Sequence, residues 1–347
     1  MRYTLGAGRY FGIPVRIHFT FPLILIVFGV EAWLRGGWGN ALHAVALTLS
    51  VFVCVVLHEF GHSLQVLRYG IPVKDIVLLP IGGMARMERI PENPWREIVV
   101  AISGPLVNVA LALILFGVIM LRGGLGGVDD FLTQLLAVNV VLALFNLIPA
   151  FPMDGGRILR ALLAVRLPYL RATRIARAVG QVIAILFVLL GFTNSSFLML
   201  PVIGVFIFVG AMSEERALRV RHILTGRTLG DLARDAPPPL LDSDPVDAAG
   251  GVLNAHGGEG VAVTDSSGTM VAMSPAQAIR AAMREGRGSE PVGRYLSSDF
   301  PVLRADMPAV QAWYFLRSDR RELAGVVSGE RFVGVVHLDS FLDDSPE

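Results

Sequence analysis

The chain has 347 residues, 53% of them hydrophobic and 17% charged, with a formal net charge of +1. Soluble domains carry about 25% charged residues, so this composition excludes a wholly soluble fold, and the lack of any basic block argues against a nucleic-acid partner. A single cysteine, Cys54, excludes an intramolecular disulfide framework and a cysteine-cluster metal site.

The charge deficit lies in the first 210 or so residues. Six apolar segments there, at about 17–34, 41–67, 97–121, 131–149, 178–193 and 197–213, reach or approach the ~20 helical residues that cross a bilayer. No small-residue cleavage pattern closes the first, and Trp33 and Arg35 follow it, so it reads as a retained span rather than a signal peptide. Asn194-Ser195-Ser196 separates the last two, which read as a tight helical hairpin or as one broken helix.

Basic residues orient these segments. Arg2, Arg9 and Arg16 precede the first. Arg68, Lys74, Arg86, Arg89 and Arg96 follow the second. Arg157, Arg160, Arg166, Arg171, Arg174 and Arg177 follow the fourth, and Arg216, Arg219, Arg221 and Arg227 follow the sixth. The alternate connections are poor in them. The expectation is a multi-pass protein of the plasma membrane with both termini cytoplasmic.

Between the second and third spans, Ile76-Val77-Leu78-Leu79 precedes Pro80-Ile81-Gly82-Gly83, and Met84-Ala85-Arg86-Met87 follows. This pattern predicts a strand, a glycine turn and a second strand. Its place after the second span suggests that Ile76–Leu79 offers unpaired backbone to an unwound substrate segment. The alternative is a hairpin that plugs the interior.

Beyond Pro237-Pro238-Pro239 the chain turns polar and repeats itself at an offset of about 61–63 residues. Leu229-Gly230-Asp231-Leu232 is echoed by Val292-Gly293-Arg294-Tyr295-Leu296, Asp244-Pro245 by Asp306-Met307-Pro308, and Gly268-Thr269-Met270-Val271 by Gly329-Glu330-Arg331-Phe332-Val333. The predicted order in each repeat is helix, strand, helix, strand, strand, helix. The predicted domains are 1–220 in the membrane and 225–347 outside it.

The chemistry centres on His58-Glu59-Phe60-Gly61-His62, at the end of the second span. Histidines at i and i+4 share a helix face, about 6 Å apart along the axis, so both imidazoles can reach one metal ion. The glutamate between them can move a proton without ligating the metal. Ionisable residues are costly in a membrane and usually functional there. The bland alternative is a set of snorkelling polar residues. A catalytic zinc takes three protein ligands and keeps one position open, and Asp154, in Pro149-Ala150-Phe151-Pro152-Met153-Asp154-Gly155-Gly156, is the candidate for the third. The competing role for Asp154 is the N-cap of the helix that follows. Cys54, one turn before His58, reads as a small buried apolar residue.

These pieces resemble the site-2 protease family of intramembrane metalloproteases. The resemblance rests on His58-Glu59-Phe60-Gly61-His62, the Gly82-Gly83 hairpin, Ser103-Gly104-Pro105-Leu106-Val107-Asn108 and the Asp154-Gly155 motif, which occur in the family's order. It implies one catalytic Zn2+ on His58, His62 and Asp154, Glu59 as general base, and cleavage of a transmembrane protein substrate near the cytoplasmic face. It also suggests substrate-contact or oxyanion roles for Asn108 and Asn139, against an interhelical hydrogen bond for each.

The repeat resembles a pair of cystathionine-β-synthase (CBS) domains, which a subgroup of that family carries. The fold class expected is a polytopic α-helical membrane protein, about six spans, with a C-terminal cytoplasmic α+β CBS pair. Such pairs commonly bind adenine nucleotides, and members that do so often place a Thr and, three residues later, an Asp that holds the ribose after the last strand of a repeat. Here Ser274 and Gln277 stand at the matching positions of the first repeat, and His337 and Ser340 at those of the second, with Asp339 one place away. Nucleotide binding is therefore doubtful, and homodimerisation or docking of a cytoplasmic partner is the expected role. A CBS-linked metal transporter and an inactive protease-like scaffold are the alternatives for the whole chain.

Overall fold

The computed structural model describes residues 4–80, 82–87, 93–127, 129–193, 199–233, 239–256, 260–267, 269–297, 301–319, 321, 323–329, 331–338 and 341. The chain divides into two units, 1–215 and 216–347.

The first unit opens with strands β1 (Thr4–Tyr10) and β2 (Ile13–His18), an antiparallel hairpin with a bulge between Gly6 and Gly8. The sequence reading starts a span at residue 17 and has no strands here. Ile13, Val15 and Ile17 do alternate with Pro14, Arg16 and His18, and Ile13 and Val15 are buried. The long apolar run that follows swamps this period-two signal.

Helix α1 (Phe21–Arg68) holds the first two expected spans. Its backbone leaves helical geometry at Gly36 and at Gly37, whose φ is +76°. Only glycine adopts that conformation at little cost, so α1 is two arms meeting where the sequence places a connection. Tyr69 then ends the second arm.

Strands β3 (Val73–Leu79) and β4 (Gly82–Met87) form the expected strand pair, with Ile81 outside the described residues. β2 runs parallel along the other side of β3, giving the order β1-β2-β3-β4. β3 is thus paired on both sides, with Ile76 and Val77 fully buried. This corrects the expectation of unpaired backbone at Ile76–Leu79: among the described residues the outer edges of the sheet belong to β1 and β4. Buried Asp75 ties three strands together, paired to both arms of the Arg86 guanidinium and, at 3.2 Å, to Arg16.

Four helices complete the unit with the start of α6. α2 (Pro94–Leu121) is capped by Asn93, whose side chain accepts from the Arg96 amide, and α3 (Phe131–Asn146) by Asp130, which accepts from the Thr133 amide. α4 is Asp154–Ala164, α5 Tyr169–Gly191 and α6 Met199–Leu224. α5 begins earlier than its apolar stretch and α6 runs on past its own. The first turns of α5 are amphipathic, burying Ala172, Thr173 and Ala176 while carrying Arg171 and Arg174, so a hydropathy window undercounts them. The Asn194–Ser196 connection lies outside the described residues. Among the described residues, α1, α2 and α5 are long and apolar enough to cross a membrane, and α3 is a shorter apolar helix.

The second unit repeats one pattern. α7 (Leu229–Leu232), β5 (Leu240–Leu241), α8 (Val246–His256), β6 (Gly260–Thr264), β7 (Met270–Pro275) and α9 (Ala276–Arg284) come first. A 3-10 turn (Val292–Tyr295), β8 (Val302–Arg304), α10 (Ala309–Ser318), β9 (Leu323–Ser328) and β10 (Arg331–His337) follow. In each three-stranded sheet the first strand runs parallel to the second and the second antiparallel to the third. At α7, Asp231 accepts from the Thr228 amide and hydroxyl at 2.7 and 2.8 Å, and these two bonds hold its carboxyl below the ordinary carboxylate range. The final helix of the second repeat falls mostly outside the described residues.

Candidate metal centre

Two elements deliver three side chains to one point. His58 and His62 project from the second arm of α1, one turn apart, and Asp154 is the first residue of α4. All three are buried. The two Nε2 atoms lie 3.1 Å from each other, and Asp154 Oδ2 lies 3.2 Å from that of His58 and 3.1 Å from that of His62. One ligand atom from each residue falls within 4.8 Å of the others, making this a group that could hold a metal ion.

The hydrogen bonds around the imidazoles say where their protons are. His58 Nδ1 lies 2.5 Å from Asn108 Oδ1, and His62 Nδ1 lies 2.7 Å from the Val100 carbonyl. Both partners are acceptors, so both Nδ1 atoms donate. The Asn108 amide is oriented independently, because its Nδ2 donates to Asn139 Oδ1 at 3.0 Å. A neutral imidazole protonated at Nδ1 presents a bare lone pair at Nε2. With both rings neutral, two such lone pairs and a carboxylate oxygen converge, and among the described residues no other side chain or amide donates to Asp154 Oδ2. One proton could serve a single pair, never all three contacts at once. A cation satisfies all three, and two imidazoles with one carboxylate are a donor set that zinc accepts.

The space is shaped for it as well. A Cβ at Gly104 of α2 would lie 2.6 Å from His58 Nε2 and closer still to that of His62. At Gly61 a Cβ would lie 2.6 Å from the Ser103 carbonyl, so α1 and α2 meet backbone to backbone beside the histidines. Sequence reasoning used Ser103-Gly104-Pro105 as a pattern and missed this steric role. A glycine inside an apolar helix, with a hydroxyl and a proline beside it, was the available signal.

Asp154 is the first helical residue of α4, and the N-cap position belongs to Met153, which makes no side-chain cap bond. Its carboxylate is therefore not spent on capping. The chain turns sharply before it: a Cβ at Gly155 would run into the Leu147 and Ile148 carbonyls, and one at Gly156 would lie 2.5 Å from the Phe151 nitrogen.

Glu59 faces β4. Its Oε2 accepts from the Ala85 amide at 2.9 Å, and a Cβ at Gly83 would lie 2.8 Å from Glu59 Cγ. The Ala85 amide is thereby directed away from β3, along the free edge of the sheet. Asn108 and Asn139 are both fully buried. Asn108 spends its amide on His58 and Asn139, while Asn139 donates to the Leu135 carbonyl at 2.9 Å and to Cys54 Sγ at 3.4 Å.

Comparison with known proteins gives the family. The model of peptidase family M50 matches residues 46–126 and 124–189. A zinc metalloprotease of Methanocaldococcus jannaschii is 36% identical over 243 residues, 68% of this chain and 68% of that one. Rip3 of Mycobacterium tuberculosis is 29% identical over 266 residues, 68% of this chain but 65% of Rip3, slightly under two thirds of its length. The solved site-2 protease from M. jannaschii is 37% identical, covering 61% of this chain and 95% of its own, with a TM-score of 0.47. A CBS-domain structure, CBSX2 in complex with AMP, covers 34% of this chain at 20% identity and a TM-score of 0.30. With a relative at 36% identity across two thirds of its length, and the family match laid over the segments that carry His58, His62 and Asp154, the chain belongs to peptidase family M50, the site-2 proteases.

Proposed function

We propose that this chain is an intramembrane zinc endopeptidase that cuts a transmembrane segment of a protein substrate. The observation that carries the reading is the convergence of two imidazole Nε2 atoms and one carboxylate oxygen, each within 3.2 Å of the other two, in a buried site. His58, His62 and Asp154 hold the ion. Zinc in such a site lowers the pKa of a water and polarises a carbonyl. Asn108 and the Val100 carbonyl keep both imidazoles in the tautomer that ligates. Glu59 takes the proton of the attacking water at its carboxylate and returns it to the leaving amine. The Ala85 amide steadies one carboxylate oxygen and leaves the other for that transfer.

A helical substrate hides its peptide bonds and must unwind to be cut. The free edge of β4 passes Glu59, so an unwound segment adds there as a fifth strand. The two arms of α1, with α2, α3, α5 and α6, make six crossings, and the arginine-rich connections put both termini in the cytoplasm.

Metal removal tests the reading. Purified full-length protein, stripped with a chelator, is expected to lose cleavage of a membrane-embedded peptide and to regain it with zinc. Asp154→Asn is expected to lower zinc content and cleavage together. Full cleavage by the stripped protein sinks the proposal, and zinc uptake into liposomes without cleavage favours a transporter.

The second unit serves dimerisation or docking rather than nucleotide sensing. Ser274 is buried and donates its hydroxyl to the Tyr295 carbonyl at 3.0 Å, and Gln277 stands where the resembling pairs place their ribose-holding Asp. Asp339 and Ser340 lie outside the described residues. Titration calorimetry of the full chain with ATP, ADP and AMP is expected to give no binding tighter than about −8 kcal/mol, the value for a micromolar Kd. A low-micromolar Kd restores the sensor role.

A further inference from the structure

Arg160 is an arginine with 1% exposure inside a membrane protein, where a charge must do something to be kept. Its Nε and Nη2 donate to Glu97 Oε1 at 2.8 and 2.5 Å, and its Nη1 donates to Glu214 at 2.9 Å. Its guanidinium lies 5.0 Å from the ring centres of both Phe151 and Tyr169.

The placement of these partners is informative. Phe151 stands three residues before Asp154 and Arg160 six after it. Asp154 thus sits between two points that touch each other, the loop before it and the helix after it. Glu97 supplies the outside reference, because it belongs to α2, which also fixes the histidines: Val100 accepts from His62 and Asn108 from His58. Each of the three side chains at the metal centre is therefore referred to α2 by one polar contact, at positions 97, 100 and 108. For the histidines the contact is direct. Asp154 has no such partner, and its link to α2 runs through Arg160.

We propose that Glu97 and Arg160 are the positioning pair for Asp154, setting the distance of its carboxylate from the two imidazoles. Among the described residues, Asp154 Oδ2 has no polar contact with α2 of its own, so its place relative to α2 is inherited from the backbone that Arg160 clamps. Lysine keeps the charge but not the fork or the stacking between two rings. The inference rests on reading Asp154 as a ligand.

The test uses the full-length protein in detergent, with zinc affinity measured by competition against a chelator and the visible absorption of the Co2+-substituted protein as the geometric readout. Arg160→Lys and the milder Glu97→Gln are each expected to weaken zinc 10- to 100-fold, the usual cost of losing an outer partner of a ligand. They are also expected to change the Co2+ spectrum. Arg177→Lys, where a partly exposed arginine pairs with buried Glu215 away from the metal centre, is expected to change neither. Thermal unfolding of the metal-free variants separates positioning from fold. Wild-type zinc affinity and Co2+ spectrum in folded Arg160→Lys overturn the inference. If Arg160→Lys does not fold, the same result in Glu97→Gln overturns it. Asp154→Asn guards the premise: if it binds zinc as tightly as wild type, the ligand assignment itself has failed, whereas loss there with retention in Arg160→Lys defeats only the positioning role.

Discussion

Gly104→Ala is expected to empty the metal centre. The added methyl would stand between the two Nε2 atoms, 2.6 Å from that of His58 and nearer to that of His62. Overpacking in an ordinary core costs about 1–3 kcal/mol because neighbours yield. Here they are held. Both imidazoles are tied through Nδ1, and α2 cannot back away from α1 without opening the Gly61–Ser103 approach. The imidazoles must leave the positions that face Asp154, so zinc affinity is expected to fall by about 100-fold or more, the upper range for disturbing a ligand's orientation. Cleavage should fall with it. Gly117→Ala is the control on the same helix, because a Cβ there meets nothing within 4 Å. It should keep zinc and gain helix propensity of up to about 1 kcal/mol. Metal analysis of the two purified variants decides the point, and normal zinc content in Gly104→Ala would contradict the geometry.

Glu59→Gln is expected to do the opposite to the metal and the same to activity. Glutamine accepts the Ala85 amide bond as the carboxylate does, so the side chain stays in place, and no metal contact is touched. Zinc content should match wild type. What is lost is the base, and general acid–base catalysis contributes about 10²–10⁴-fold. Cleavage should fall by that factor while substrate still binds. The stalled protein can then report where the substrate lies. A photo-crosslinking residue at Met84, 41% exposed on β4, should capture it, while one at fully buried Val77 on β3 should not. Capture at neither position, with binding intact, would count against strand addition.

What the sequence disclosed follows from the range of each signal. The His58–His62 spacing is local and carries its own geometry. The joint in α1, the β3–β4 pair and the doubled second unit are likewise written in periods and punctuation that span a few residues. Apart from Asp154, which the need for a third metal donor suggested, contacts between distant residues were not legible. His58 and Asn108 are 50 residues apart, and Glu97 and Arg160 are 63 apart, with nothing local to announce either pairing. Asn108 was noticed, but its bond to His58 was not. β3 was seen as a strand, yet its second neighbour is β2, from a segment whose own alternation was lost beside a long apolar run. Gly104 looked like part of a pattern because its meaning depends on rings that another helix supplies.

The bulge in β1 has a consequence for selectivity. The sheet has two outer edges. Along β1 the ladder slips between Gly6 and Gly8, where one residue is left over, and Gly8 turns to a φ of +115°. Such a kink discourages another strand from joining. β4, in contrast, stays in register with β3 from Gly82 to Arg86, and the ladder slips only at its end, where Lys74 of β3 is left over before Met87. An unravelled chain searching this surface meets one blunted border and one regular border, and the regular one leads past Glu59. If substrate docks by strand addition, the irregularity at the far side of the sheet acts as a signpost, leaving it the lane that passes Glu59.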